Sequence, residues 1–227
     1  MQDSEQDPKR DGESRLSRRS AADRRRLMRE IASCRICADA FAATPTAHSP
    51  RPVLQISGTA RVAIAGQAPG WRVQKAGRPF DDPSGVRLRG WLGVEEAAFW
   101  DPARFAILPM GFCFPGHDAK GGDLPPPKIC AQTWRARLMA AHLQLDLILL
   151  LGRAAIEWHL GASARKRPLE ALVGEWRARL SAPERPRLVP APHPSWRNTA
   201  WLKKRPWFEQ EAVPALRSEV AALIGEE

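Results

Sequence analysis

No stretch of the 227 residues approaches the roughly 18 consecutive apolar residues that a membrane-spanning helix requires. No membrane role is expected. An apolar core of the kind found in secretory signals is also missing from the N-terminus, so the default expectation is a cytoplasmic, reducing compartment. Cysteine is scarce: there are four, and under reducing conditions they read as metal ligands or free thiols rather than disulfides. Acidic residues are outnumbered, 25 against 35 Lys and Arg, leaving a formal charge of +10. That deficit points to a polyanionic partner, nucleic acid ahead of an anionic membrane surface. Internal repeats are absent.

Against these absences, 44% hydrophobic residues and nine Trp are enough for one well-packed globular core, and the length is short for two. Residues 1–20 are polar and almost free of apolar side chains, and are expected to form a disordered tail. Eight Lys and Arg face six Asp and Glu in residues 1–26, so this tail is not a nucleic-acid-binding arm. Residues 21–227 form the expected single domain.

Apolar runs at 62–65, 105–108, 145–151 and 187–190 read as strands. Helical patterns occupy about 21–33, 86–92, 131–142, 153–160, 168–180 and 209–224. Strands alternating with helices predict a three-layer α/β/α sandwich around a small, mainly parallel sheet.

Chemistry in such a fold gathers beyond the carboxyl ends of the strands. The first strand ends there in Gly66-Gln67-Ala68-Pro69-Gly70, followed by Gly77-Arg78-Pro79-Phe80 and Asp82-Pro83-Ser84-Gly85. Glycine and proline force tight turns and leave little side chain to obstruct a ligand. The last strand runs directly into His193-Pro194-Ser195. A neutral imidazole at a strand exit can donate to an oxygen on which negative charge develops.

Residues 185–207 contain no Asp or Glu. Arg185, Arg187, Arg197, Lys203, Lys204 and Arg205 interleave there with Trp196, Trp201 and Trp207. Basic side chains for phosphates and aromatic ones for bases make the footprint expected of nucleic-acid binding. Cys34 and Cys37 form a C-x-x-C pair, with Cys113 and Cys130 far downstream. Four thiolates suit tetrahedral zinc or a [4Fe–4S] cluster, and spacing alone favours zinc.

GQAPG, GRPF and SG at these offsets, with HPS near the C-terminus and the four cysteines, resemble the uracil-DNA glycosylase superfamily. The similarity is greatest to its iron–sulfur family 4, with GEAPG…GRPF…SG, and extends over roughly residues 30–215. It implies a DNA glycosylase of base excision repair that hydrolyses the bond between a deaminated base and deoxyribose. It further implies a [4Fe–4S] cluster on Cys34, Cys37, Cys113 and Cys130, with a structural role and with zinc as the alternative. Its partner would be DNA with one nucleotide flipped out of the stack, bound by a monomer.

In this reading His193 stabilises the departing base, Phe80 stacks on it and Gly66 lines its pocket. Gln67 and Asp81 position base or water. Asn198, in an HPSWRN stretch similar to the HPSxRN of the single-strand-selective branch, helps hold the site. Trp196 and Arg197 stand where the superfamily inserts a wedge into the duplex, and Lys203 and Lys204 meet phosphates.

Three departures bear on substrate. Gln67 replaces the Glu of GEAPG. Trp71-Arg72-Val73-Gln74 replaces an acidic stretch. Pro109 stands where the family has an Asn that reads the uracil edge, and proline has no side-chain donor or acceptor. They leave open a second reading, a non-catalytic nucleic-acid-binding iron–sulfur protein on the same fold.

Overall fold

A computed structural model describes residues 21–142 and 144–225. The polar tail expected over 1–20 lies outside the described residues. Four strands, β1 (Val62–Ala65), β2 (Phe105–Ile107), β3 (Leu147–Leu151) and β4 (Arg187–Ala191), pair in the order β2-β1-β3-β4, every pair parallel. Val62 lies opposite both Phe105 and Leu147, and Leu147 opposite Arg187. Their carboxyl ends therefore finish side by side.

The runs VAIA, FAI and LILLL are buried throughout, because helices cover both faces of the sheet. Alternation along each strand divides the core in two. Val62, Ile64, Leu147, Leu149 and Leu151 pack with Leu88, Trp91, Phe208, Val213 and Leu216 on one face. Ala63, Ala65, Ala106, Ile148 and Leu150 pack with Leu27, Ile31, Trp134, Leu138 and Ile156 on the other. This is the three-layer sandwich expected from the sequence. Alanines on the second face let its helices lie close to the sheet, and those helices carry the chain that bears Cys34, Cys37 and Cys130.

Two helical expectations need correction. The loop after β1 contains a helix, Trp71–Ala76, capped by Gly77 in the left-handed conformation at φ 75°. Only one aliphatic residue, Val73, marks its buried side, too little for a visible periodicity. The single helix expected over 168–180 is two, Leu169–Gly174 and Trp176–Leu180, interrupted at Glu175. The carboxylate of Glu175 binds Arg167 and Arg179, which fixes the break.

Candidate active site

The carboxyl ends of β1, β2 and β4 open onto a cavity of about 580 Å³. Gly66, Gln67, Pro79, Phe80, Pro109 and His193 are among its walls. Beyond β2 the backbone continues the parallel ladder: Leu108 N–H donates to the Ile64 carbonyl, Met110 to Gly66 and Gly111 to Gln67. The GQAPG turn is thus tied to the segment after β2.

Phe80 occupies the left-handed region at φ 57°, a conformation costly to a residue with a side chain. Two glycines make room for it. A Cβ on Gly66 would come within 3.2 Å of the ring tip. One on Gly85 would lie inside contact with the Phe80 carbonyl, 2.8 Å from its carbon. Phe99 meets the Phe80 ring edge-on at 6.2 Å. Across the cavity the ring of His193 lies 6.4 Å away, within 29° of parallel. Phe80 therefore serves both core and cavity.

His193 follows directly on β4. Burial pushes its pKa down to about 4, assisted by Arg197 and opposed by Asp82 and Asp123. The ring is therefore neutral at pH 7. The backbone N–H of Ser195 donates to Nδ1 at 3.3 Å, which makes that nitrogen the acceptor and leaves the proton on Nε2. Asn198 Nδ2 donates to the His193 carbonyl at 2.8 Å. Asn198 is not part of the cavity wall; it fixes the histidine turn. Arg87, to which the sequence drew no attention, donates to the carbonyls of Pro194 and Ser195 at 3.2 and 3.3 Å and binds the same turn to the helix Pro83–Leu92.

Gln67 lines the cavity beside Gly152, where a Cβ would stand 2.7 Å from its amide nitrogen. The two adjacent aspartates part company. Asp82 lines the cavity and caps the helix Pro83–Leu92, accepting from Gly85 N–H at 3.0 Å and Ser84 Oγ at 2.6 Å. Asp81 faces away and pairs with Arg78 at 3.1 Å, and Arg78 in turn stacks on Trp100. The carboxylates on the wall are Asp82 and Asp123, and sequence reasoning nominated neither, choosing Asp81. Asp123 sits in a glycine-rich loop 53 residues from Gly70, with no local pattern to mark it.

At the mouth stand Trp196, 77% exposed, and Arg197. Lys203 and Lys204 are exposed on the helix Thr199–Lys204. The rest of the basic window is structural. Arg187 is buried and paired with Glu219; Arg205 binds Glu170 at 2.5 Å and Arg185 binds Asp146 at 3.3 Å. Trp201 and Trp207 pack on Phe208. Long-range carboxylates, invisible in the local sequence, neutralise half of the expected footprint.

The four cysteines converge on a second, small cavity, together with Phe41, Phe112 and Trp134. Burial and neighbouring thiols push Cys113 up to about 12 and Cys130 up to about 11. Among the described residues no three His, Cys, Asp or Glu side chains are grouped to hold a metal ion.

The family model of the uracil DNA glycosylase superfamily matches residues 55–217, which take in the cavity walls apart from Val53, the whole sheet, Cys113 and Cys130. Cys34 and Cys37 precede the match. With a parallel sheet, a GQAPG turn and an HPS turn facing one another across one cavity, the chain belongs to the uracil DNA glycosylase superfamily.

Proposed function

We propose that this protein is a DNA glycosylase that hydrolyses the N-glycosidic bond of uracil or another deaminated base. The observation that carries the reading is His193: half-buried, neutral, with its Nε2 proton free to point into a cavity opposite Phe80. A base flipped into the cavity would be gripped by the face of Phe80. As the bond to C1′ lengthens, negative charge grows on a base oxygen, and a donor already in place stabilises it without reorganisation. A cationic histidine would be costly to bury there; a neutral one is not. Asn198 and Arg87 hold the histidine turn in register through its carbonyls.

Access fits the same reading. Trp196 at the rim is placed to fill the gap left by an extruded base, and Arg197, Lys203 and Lys204 supply charge for the phosphates. DNA is thus the proposed partner, and the protein is proposed to act as a monomer. Gln67 offers one amide donor and one acceptor to a base edge in place of the side chain that Pro109 lacks.

We also propose that Cys34, Cys37, Cys113 and Cys130 hold a [4Fe–4S] cluster. The convergence of four half-buried thiols on one cavity supports it. When bound, the cluster would supply a structural clamp between residues 34–37, the chain after β2 and the helix Lys128–Ala140.

The test is abasic-site formation on a panel of oligonucleotides, single- and double-stranded, carrying uracil, hypoxanthine or xanthine. Release of one base by the wild type, abolished in His193→Ala, supports the reading. DNA binding unaffected by His193→Ala, with no abasic product on any substrate, would replace it with a non-catalytic binding protein on the glycosylase fold.

A further inference from the structure

We propose that Asp123, held by His117, is the carboxylate that activates water in this site, a role that rests on the glycosylase reading above. Hydrolysis needs a group to take the proton of the attacking water and to face the positive charge that develops on the sugar. Gln67, in the GQAPG turn, can do neither, because an amide carries no charge and accepts no proton near neutral pH. Asp81 is turned out to Arg78. Of the two carboxylates on the wall, Asp82 is committed through Oδ1 to the Ser84 hydroxyl and the Gly85 N–H. Both wall carboxylates act on His193, but Asp82 does so the more strongly, at the end where the base would lie.

Asp123 approaches from the other side. Its Oδ2 faces Gly70, 3.9 Å from where a Cβ would stand on that glycine. Its other oxygen, Oδ1, lies 3.2 Å from His117 Nε2. His117 itself meets the Phe114 ring edge-on at 5.1 Å, which anchors it to the core. The loop is built rather than slack. His117 and Asp123 face each other as an antiparallel bridge, and Leu124 N–H donates to the Gly116 carbonyl at 2.9 Å. Asp118 accepts from the N–H groups of Lys120 and Gly122 at 2.8 and 2.9 Å. Gly116, at φ 101°, provides the left-handed turn that starts the loop. The loop thereby presents one carboxylate oxygen to the mouth while the other is held.

The step balances simply. The water oxygen bonds to C1′ and its proton passes to the Asp123 carboxylate. The C1′–N bond breaks with its electron pair going to the base, whose charge His193 Nε2–H stabilises. The base is then protonated from solvent, and Asp123 returns its proton to solvent.

The experiment uses full-length protein and whichever oligonucleotide of the panel the wild type cleaves. Single-turnover rates at saturating enzyme are compared for wild type, Asp123→Asn, His117→Ala and Asp118→Asn. Binding is measured on the same duplex carrying a 2′-fluoro nucleotide that resists hydrolysis. Asp123→Asn should slow excision by about 10²–10⁴-fold with affinity within about threefold of wild type. His117→Ala should fall between the two. Asp118→Asn, which loosens the loop but keeps the carboxylate, should lose less than Asp123→Asn. An Asp123→Asn rate within about threefold of wild type overturns the proposal and leaves the glycosylase reading standing. An Asp118→Asn loss as large as that of Asp123→Asn also overturns it, since loop order rather than the carboxylate is then what matters. A wild type that cleaves nothing overturns both.

Discussion

Gly85 and Gly90 lie on one helix, Pro83–Leu92, and the same substitution should have opposite effects at the two positions. Gly→Ala inside a helix ordinarily stabilises by about 0.5–1 kcal/mol, because alanine loses less backbone freedom on folding. At Gly90 nothing lies within 4 Å of the new methyl group, so Gly90→Ala should realise that gain. At Gly85 the methyl would fall inside contact with the Phe80 carbonyl oxygen, with the carbonyl carbon at 2.8 Å and the Phe80 Cβ at 3.0 Å. These are backbone-proximal atoms of a residue already at φ 57°, and no rotamer change moves them aside. Either the helix start or the Phe80 turn must shift by roughly 1 Å.

Overpacking of this kind costs about 1–3 kcal/mol, which for a chain of this size lowers Tm by roughly 2–12 °C. If the ring grips substrate as proposed, a displacement of that size costs on the order of 10²-fold in rate. Thermal unfolding of both variants, with single-turnover excision on the cleaved lesion, measures the two effects together. Gly90→Ala should melt at or above wild type with unchanged kinetics, while Gly85→Ala should lose stability and rate. A Gly85→Ala protein as stable as Gly90→Ala would refute the claim that this glycine exists to admit the Phe80 backbone.

The remaining predictions address charge and positioning. Burial lowers the pKa of His193 to about 4 and of His159 to about 3, and lowers that of His142. The unfolded chain takes up protons on these histidines near pH 6.5 and the folded one resists doing so, so stability should fall as pH drops from about 6.5 towards 4, by about 1.4 kcal/mol per pH unit for each of His193 and His159, with His142 acting in the same direction. Urea titrations between pH 7 and 5 measure the slope, and His159→Gln, which keeps an acceptor for Arg135, should make it shallower. Arg187→Ala strands Glu219 and should cost about 2–4 kcal/mol, somewhat below a fully buried pair because Glu219 keeps some water. Lys203→Ala and Lys204→Ala should leave stability within about 0.5 kcal/mol yet each reduce the salt dependence of DNA binding by about one unit. Asn198→Ala removes one hydrogen bond worth about 1 kcal/mol, and excision should fall further than Tm because the histidine turn loses its register.

The sheet was legible because its signal is local. β-Branched and aliphatic runs at 62–65 and 147–151 admit little else once Gly66 and Gly152 end them. The helices Pro83–Leu92 and Arg153–Leu160 were legible for the same reason, each closed by a glycine at residue 93 or 161. What stayed hidden was decided by contacts across tens of residues. The basic window reads as a binding surface until Glu170, Asp146 and Glu219 arrive from elsewhere in the chain to neutralise Arg205, Arg185 and Arg187. Asp82, before Pro83-Ser84, carries a cap signal and does cap the helix, whereas nothing in the sequence shows that Arg78 takes Asp81 away from the cavity. Asp123 has no marker at all, since it reaches the cavity through the curvature of its loop.

Pro109 shows why the scaffold persists while the cavity wall differs. The segment after β2 ties itself to β1 through the N–H of residue 108 and to the GQAPG turn through those of residues 110 and 111. Residue 109 donates to neither Gly66 nor Gln67, and proline, which has no N–H, breaks no link there. On the other strand, Gly66 and Gln67 take part through carbonyls, so the identity of the side chain at 67 is equally free of the ladder. Two of the three departures from the iron–sulfur pattern this chain resembles, at 67 and 109, therefore fall where backbone geometry tolerates change. Phe80, Gly85 and His193, where the backbone geometry tolerates little, retain the pattern. Substrate preference can drift at 67 and 109 without loss of the fold. A double variant, Gln67→Glu with Pro109→Asn, should therefore keep the Tm within a few degrees while altering which lesion is released, as read on the same oligonucleotide panel. Collapse of the fold in that variant would show that residue 109 bears structural weight through its ring, and that the wall and the scaffold are not separable.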